Sequence, residues 1–284
     1  MFDLRFAPVD AWRPPPLDAA NPDIELWRDN DGTICAYGGS PDGMYWIHLP
    51  GVATFTFSLE NAQITAAADA TAAHGPIVDA YYRTVLPLAL QARGIEVLHA
   101  SAVRIRGGII ALCGIKETGK STIAYALSQR GYSLRADDAV PFTTSEDAVC
   151  AMSLPFTIRL RPSSAAFFEI DGVRERPSPL PDARTQVALS PEGLSAVFVL
   201  QRNAAGLSTP PSVSRLTGSA AFMSALTHAY CFSLRDESHK ARMVQHYLEL
   251  AARVPIFEVR FGAGLDWLPA ITSAIEETVA ATAG

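Results

Sequence analysis

Residues 114–121, Gly-Ile-Lys-Glu-Thr-Gly-Lys-Ser, set two glycines with four residues between them directly before a lysine and a hydroxyl. Glycine at 114 and 119 lets a loop curl tightly enough to turn its backbone N–H groups inward round a phosphate. A helix starting behind the loop adds its positive N-terminal end. Lys120 can then reach β- and γ-phosphates, and Ser121 can offer a hydroxyl to a bridging Mg²⁺. The pattern predicts a P-loop nucleotide site made of Gly114, Ile115, Lys116, Glu117, Thr118, Gly119, Lys120, Ser121 and Thr122, with ATP and Mg²⁺ as cofactors. A bare glycine turn that happens to precede Lys-Ser is the plain alternative.

Two further groups could complete a phosphoryl-transfer site. Asp137 and Asp138 end a short apolar run, and a carboxylate pair can divide its work, one holding metal while the other accepts a proton from a substrate hydroxyl. Asp138 is expected with Ser121 at the metal; which aspartate is the base stays open, and a solvated turn or helix cap would need the same residues. His99 closes the run Glu96-Val-Leu-His and is followed by small residues, so it is a candidate catalytic residue with Lys120, Asp137 and Asp138. The other histidines, His48, His74, His228, His239 and His246, have no metal-ligand spacing and read as structural or exposed. Arg159 and Arg161 alternate on one face of a predicted strand, Phe156–Leu160, where they could hold phosphate or an acidic peptide, or simply face solvent.

The elements needed to position these groups can be read from periodicity. Val97–Arg104, a turn at Gly107-Gly108, the apolar run Ile109–Cys113, the glycine loop, a helix over Ser121–Gln129 stopped by Arg130-Gly131, and a strand Tyr132–Ala136 give the order strand, turn, strand, loop, helix, strand, acidic pair. The last of these strands is expected beside the strand that leads into the glycine loop. Farther on, Ala196–Leu200 and Ile256–Phe261 read as strands, and Gly218–Leu226, Lys240–Ala252 and Leu265–Ala281 as helices. Upstream, short β-rich runs at Ile24–Trp27, Thr33–Tyr37, Met44–His48 and Thr54–Phe57 alternate with Asp-Gly, Gly-Gly and Pro-Gly signals. A helix over Ile77–Ala92, interrupted at Pro87, closes that region. The fold class is α/β, with a smaller β-rich domain over residues 1–94 and a P-loop catalytic domain over 95–284.

Composition narrows the partners. The 284 residues are 49% hydrophobic, enough for a true core, and the longest apolar stretches fall far short of the roughly 20 residues that cross a bilayer. A net charge of −6 and a pI near 5.5 disfavour a broad nucleic-acid surface. The N-terminus carries an early acid and no basic-then-apolar leader, so a cytoplasmic protein with no membrane partner is expected. Cys35, Cys113, Cys150 and Cys231 form no CxxC pair and are expected to be free. The proline clusters Pro14–Pro16 and Pro177–Pro181 stand out; the second reads as a loop.

Leu98-His-Ala-Ser-Ala-Val103, the loop Gly114–Thr122, and Arg130-Gly-Tyr-Ser-Leu-Arg-Ala-Asp-Asp138 resemble the catalytic domain of HPr kinase/phosphorylase in their order and intervals, over about residues 97–140. The resemblance implies a fold shared with ATP-type phosphoenolpyruvate carboxykinase and transfer of a phosphoryl group to a serine hydroxyl of a protein or peptide. It also implies that the Asp137/Asp138 pair supplies the base and that His99 assists at the phosphate. Hexamers occur in that family, so a homo-oligomer is expected. The chain departs from the pattern twice: Thr157 stands where the family's Glu-Ile-Arg-Gly signature carries a metal-binding glutamate, and the loop interior Ile115–Thr118 replaces Asp-Ser-Gly-Val. Reverse phosphorylase activity is therefore not expected. The N-terminal region and the segments Ala196–Leu200 and Pro255–Phe261 are similar in layout to HPr-kinase-like proteins found beside modified-peptide clusters, including lasso peptides, some of which phosphorylate the precursor peptide. Two alternatives keep the same nucleotide site: a small-molecule kinase of the free-serine type, and an ATP-binding regulatory module with little turnover.

Overall fold

Alternating apolar runs and turn signals build two sheets. The computed structural model describes residues 3–7, 14–15, 17, 24–28, 31–170, 191–203, 210–231 and 236–282. The Pro177–Pro181 stretch and Pro16 lie outside these. The chain divides between Arg93 and Gly94 into two compact units.

The first unit holds β1 (Asp3–Ala7), β2 (Glu25–Arg28), β3 (Ile34–Gly39), β4 (Met44–Leu49), β5 (Ala53–Ser58) and β6 (Gln63–Ala68), in the sheet order β1-β6-β5-β4-β3-β2. Neighbours pair antiparallel except β1 with β6, which run parallel. Strands β2 to β5 cover the four runs expected there. The alanine-rich β6 carries little intrinsic β signal; pairing with β5 and β1 on its two sides sets it in the sheet. Ile47, Phe55, Phe57 and Ile64 are fully or almost fully buried.

Helices α1 (His74–Ala80) and α2 (Leu86–Ala92) follow, joined by a π-turn over Tyr81–Val85. Pro87 has no N–H for the carbonyl four residues back, and the widened turn, in which Leu86 N–H reaches the Tyr81 carbonyl, absorbs the interruption without ending the helix.

The second unit begins with β7 (Glu96–Leu98), β8 (Ala100–Ile105) and β9 (Gly108–Cys113). The single strand expected over Val97–Arg104 is two: the chain breaks at His99, with β7 before it paired to the strand Val140–Thr144 and β8 after it paired to β9. The β8–β9 hairpin turns on Arg106 (φ 49°) and Gly107 (φ 88°), the two consecutive positive angles that match the twist of paired strands. Then come α3 (Lys120–Gln129), β10 (Ser133–Ala136), β11 (Val140–Thr144), β12 (Val149–Met152), α4 (Pro162–Phe167), β13 (Pro191–Arg202), β14 (Ser212–Leu216), α5 (Gly218–Leu226), α6 (Glu237–Arg253), β15 (Ile256–Phe261) and α7 (Leu268–Thr282).

The expected strand at Phe156–Leu160 does not form. Pro155 cannot donate to a ladder and Pro162 opens α4, so the segment between them takes no strand conformation, although Thr157 and Ile158 within it are buried. The C-terminal helix starts later than Leu265 because a short 3₁₀ turn precedes it and Pro269 suits only a first helical turn.

The sheet runs β10-β8-β9-β13-β12-β11-β7, and β15 with β14 extends from the other side of β13. Strands β9, β13 and β15 are parallel; β8 runs against β9, and β10 against β8. Strand β10 was expected next to β9, but β8 lies between them. Two antiparallel steps restore the direction, so β10 ends at the same edge as β9. Helix α3 buries Ile123, Ala124 and Leu127 on Val103, Leu112, Phe198 and the α7 residues Ile271 and Ile275. The helix stops on a left-handed Gly131 (φ 94°), with Gly131 N–H to the Ser128 carbonyl and Tyr132 N–H to the Leu127 carbonyl.

Phe198 has no exposed surface and stacks on Phe257 at 5.2 Å. Phe198→Ala is expected to cost about 3–5 kcal/mol in urea unfolding, whereas Leu248→Ala on the exposed side of α6 should cost no more than ~0.5 kcal/mol.

Candidate functional site

The carboxyl ends of β9 and β10 and the beginning of β8 fall on one edge of the second sheet. The register fixes this: Ala100 lies opposite Cys113, Ser101 opposite Leu112, and Ala102 opposite Ala136. Residues just beyond these positions are Gly114 after β9, Asp137 after β10 and His99 before β8.

Asp137 is the hub. It is 6% exposed, and its Oδ1 accepts hydrogen bonds from Ser101 Oγ at 2.7 Å and Ser121 Oγ at 2.8 Å. The carboxylate expected beside Ser121 was that of Asp138. Strand β10 delivers Asp137 inward instead, and the backbone then turns through a left-handed Asp138 (φ 69°). Asp138 is half-buried, and its carbonyl accepts a hydrogen bond from Tyr230 Oη at 3.1 Å. The acidic pair therefore splits into one carboxylate bonded to the helix start and one at the edge.

The loop between Gly114 and Ser121 is tightly formed. An added Cβ at Gly114 would come within 3.2 Å of Thr118 Cβ and 3.3 Å of Leu200 Cβ, so the bare glycine lets the loop close on β13. Glu117 (φ 72°) and Gly119 (φ 109°) both adopt left-handed backbone, at a cost for the non-glycine residue. Thr118 N–H and hydroxyl both bond the Ile115 carbonyl, at 3.2 and 2.6 Å. Lys120 is 7% exposed and donates to the Gly114 carbonyl at 2.8 Å and the Ile115 carbonyl at 3.5 Å. Burial holds its pKa below the usual lysine value, opposed by the nearby Asp137 charge. Thr122, on α3, shares a hydrogen bond at 3.1 Å with Ser164 of α4.

Among the described residues no three His, Cys, Asp or Glu side chains converge on a metal position. The Ser121 hydroxyl and Asp137 carboxylate nonetheless form a hard oxygen pair, and Mg²⁺ characteristically takes one or two protein oxygens while keeping water and phosphate as its other ligands. The donor set fits that ion.

His99 is half-buried; its backbone N–H donates to the His228 carbonyl at 2.7 Å, and its ring stacks on Tyr230 with centroids 5.7 Å apart. Sequence reasoning passed over the segment His228–Tyr230. His228, read as structural or exposed, is 7% exposed and close enough to Lys120 to feel its charge. Burial first, and the Lys120 ammonium second, push its pKa down to about 4, so the imidazole is neutral at physiological pH. No spacing motif marks it, since it arrives from the end of α5, a hundred residues away in sequence from the loop it faces.

Arg159 and Arg161 are exposed, and Thr157 is buried at 9%. Arg161 Nη2 pairs with Glu117 Oε1 at 2.5 Å. All four cysteines are free. No described helix is long and apolar enough to cross a membrane.

No family model matches the chain, and no curated protein is similar to it. Among solved structures, the HPr(Ser) kinase/phosphatase from Coxiella burnetii is similar at 13% identity, with a TM-score of 0.36 over 66% of this chain and 99% of that one. A likeness of that degree leaves the activity to be read from the side chains.

The environment of His228 is directly measurable. Its imidazole should titrate near pH 4 by NMR, and Lys120→Met should move that midpoint up while leaving it below 6.5, because burial is the larger cause. An unchanged midpoint in Lys120→Met would remove Lys120 from its surroundings.

Proposed function

We propose that the chain is an ATP-dependent kinase that transfers the γ-phosphoryl group to a serine hydroxyl of a protein or peptide. The observation that carries this is Asp137: a buried carboxylate hydrogen-bonded to Ser121, the hydroxyl that follows the loop lysine. A phosphate loop needs only glycines and Lys120 to bind anions. A carboxylate joined to Ser121 adds a divalent-cation position, and a second carboxylate at the same edge adds a proton acceptor.

Lys120 exchanges the Gly114 and Ile115 carbonyls for phosphate oxygens, and its low exposure keeps that charge little screened. Ser121 and Asp137 would hold Mg²⁺, which neutralises charge on the β- and γ-phosphates when bound. Asp138 takes the proton of the acceptor hydroxyl as its oxygen bonds to the γ-phosphorus and the bond to the β-phosphate oxygen breaks, releasing ADP. Asp137 is less suited to that task, since Ser101 and Ser121 already occupy its Oδ1. His99 lies at the start of β8, on the same edge, where it can contact phosphate. Positioning and fixed charge supply most of the rate in such transfers.

The test is titration of Mg·ATP into wild type and Lys120→Ala, followed by γ-phosphate transfer to serine peptides and to free serine. Lys120→Ala should weaken binding by roughly 10- to 100-fold, the range for a charge-assisted hydrogen bond. Asp138→Asn should bind Mg·ATP but transfer nothing, and Asp137→Asn should lose the Mg²⁺ dependence of binding. Transfer to free serine alone would make this a small-molecule kinase, and binding without transfer to either acceptor a regulatory module. Wild type that binds no nucleotide would overturn the reading.

A further inference from the structure

The phosphate loop carries an acid at the position where a polyphosphate would be least tolerant of one. Glu117 lies between the loop's two glycines, its side chain 43% exposed. It is not left bare: Arg161 pairs with it at 2.5 Å, and Lys116 and Arg202 add weaker attraction that, with Arg161 foremost, holds its carboxyl below the usual glutamate range. Arg161 immediately precedes the first turn of α4, and the Thr122–Ser164 hydrogen bond ties that same helix to α3 directly behind the loop. Arg202 ends β13, one of the parallel strands whose carboxyl ends share the loop's edge.

Lys120 is in a comparable state, its ammonium spent on loop carbonyls. Both cations are thus held by acceptors belonging to the loop itself. The two holds differ in strength. A pair as exposed as Glu117–Arg161, with Arg161 at 59%, is worth no more than about fivefold in equilibrium. A phosphate offers guanidinium a bidentate partner with more charge than one carboxylate.

We propose that Arg161 is a phosphate-binding residue of the nucleotide site and that Glu117 is its placeholder: the guanidinium leaves the glutamate for a terminal phosphate oxygen when nucleotide binds. This rests on the nucleotide-binding part of the kinase reading. Glu117 then lowers affinity, since its pair must break and its charge is uncovered as the phosphates arrive. It also keeps Arg161 beside the loop in the absence of nucleotide. The other arrangement of the same residues is a static clasp, in which the pair persists and merely steadies the loop.

Mg·ATP titration into wild type, Glu117→Gln, Arg161→Met and the double variant separates the two. The placeholder predicts binding about two- to fivefold tighter in Glu117→Gln, roughly tenfold weaker in Arg161→Met, and a smaller benefit of Glu117→Gln once Arg161 is gone. A clasp predicts that Glu117→Gln and Arg161→Met weaken binding alike, which overturns the proposal; so does a Glu117→Gln benefit that is undiminished in the double variant, because that is simple repulsion. Both positions are exposed, and matching thermal unfolding of all four proteins checks that the fold is intact. Lys120→Ala tells the two failures apart: if it weakens, by roughly 10- to 100-fold, binding that wild type has while the Glu117 and Arg161 variants behave as a clasp, the nucleotide site stands and the placeholder falls. Wild type without nucleotide binding overturns both.

Discussion

A carboxylate that is 6% exposed has to find its compensation where it lies, and Asp137 imposes that condition on three separate segments. Ser101 must lie at the start of β8, one residue in, Ser121 must sit in the first turn of α3, and β10 must stop one residue before Asp137 with its direction parallel to β9. The β8–β9 hairpin and the β8–β10 pairing meet all three requirements at once. Slipping either register by one residue would send alternate side chains to the opposite face and leave the carboxylate without its hydroxyls. The glycine loop can vary in detail, but the edge it projects from cannot.

The loop shows the complementary behaviour. Its polar groups satisfy one another: Thr118 closes back on the Ile115 carbonyl, Lys120 on Gly114, and Glu117 on Arg161. Each of these bonds is available for exchange, because each partner is a neutral carbonyl or an exposed carboxylate. A rigid edge of buried hydrogen bonds thus carries a loop of replaceable ones, which is the division of labour expected of a scaffold and a binding segment.

The sequence made the loop, the helix behind it and the apolar strand before it legible, because glycine spacing and a buried run leave local marks. Strand order left none: nothing in Tyr132–Ala136 says whether β9 or β8 is its neighbour, and the break at His99 is decided by where β7 and β8 find partners. The division of Asp137 from Asp138 was illegible for a similar reason: the hydroxyls that Asp137 meets come from distant segments, and the left-handed backbone at Asp138 (φ 69°) leaves no mark in the spacing. His228 was missed because its environment comes from burial and from Lys120, neither of which is a spacing. Arg161 stands next to a segment whose flanking prolines forbid the expected strand; its contact with Glu117 follows from its place at the N-terminal end of α4, which no spacing in the sequence marks.

Two other buried groups illustrate what happens when compensation is incomplete. Glu96, on β7, is 1% exposed; neither carboxylate oxygen has a hydrogen-bond partner among the described residues, and His246 Nδ1 stands 3.6 Å from Oε1. Burial raises its pKa to about 7, Arg242 opposing. A raised carboxyl pKa contributes stability that is fully present below the unfolded value of 4.5 and is lost as pH rises toward 7. His228, lowered to about 4, does the reverse: its contribution is full above 6.5 and is lost as pH falls toward 4. The windows overlap almost completely and the slopes oppose, so between about pH 4.5 and 6.5 the two groups nearly cancel in their effect on stability. Neither neutral state is conspicuous in the folding equilibrium there. The charge each group declines to carry matters locally instead, and for His228 that locality is Lys120, whose ammonium keeps its field undivided because the imidazole beside it stays neutral.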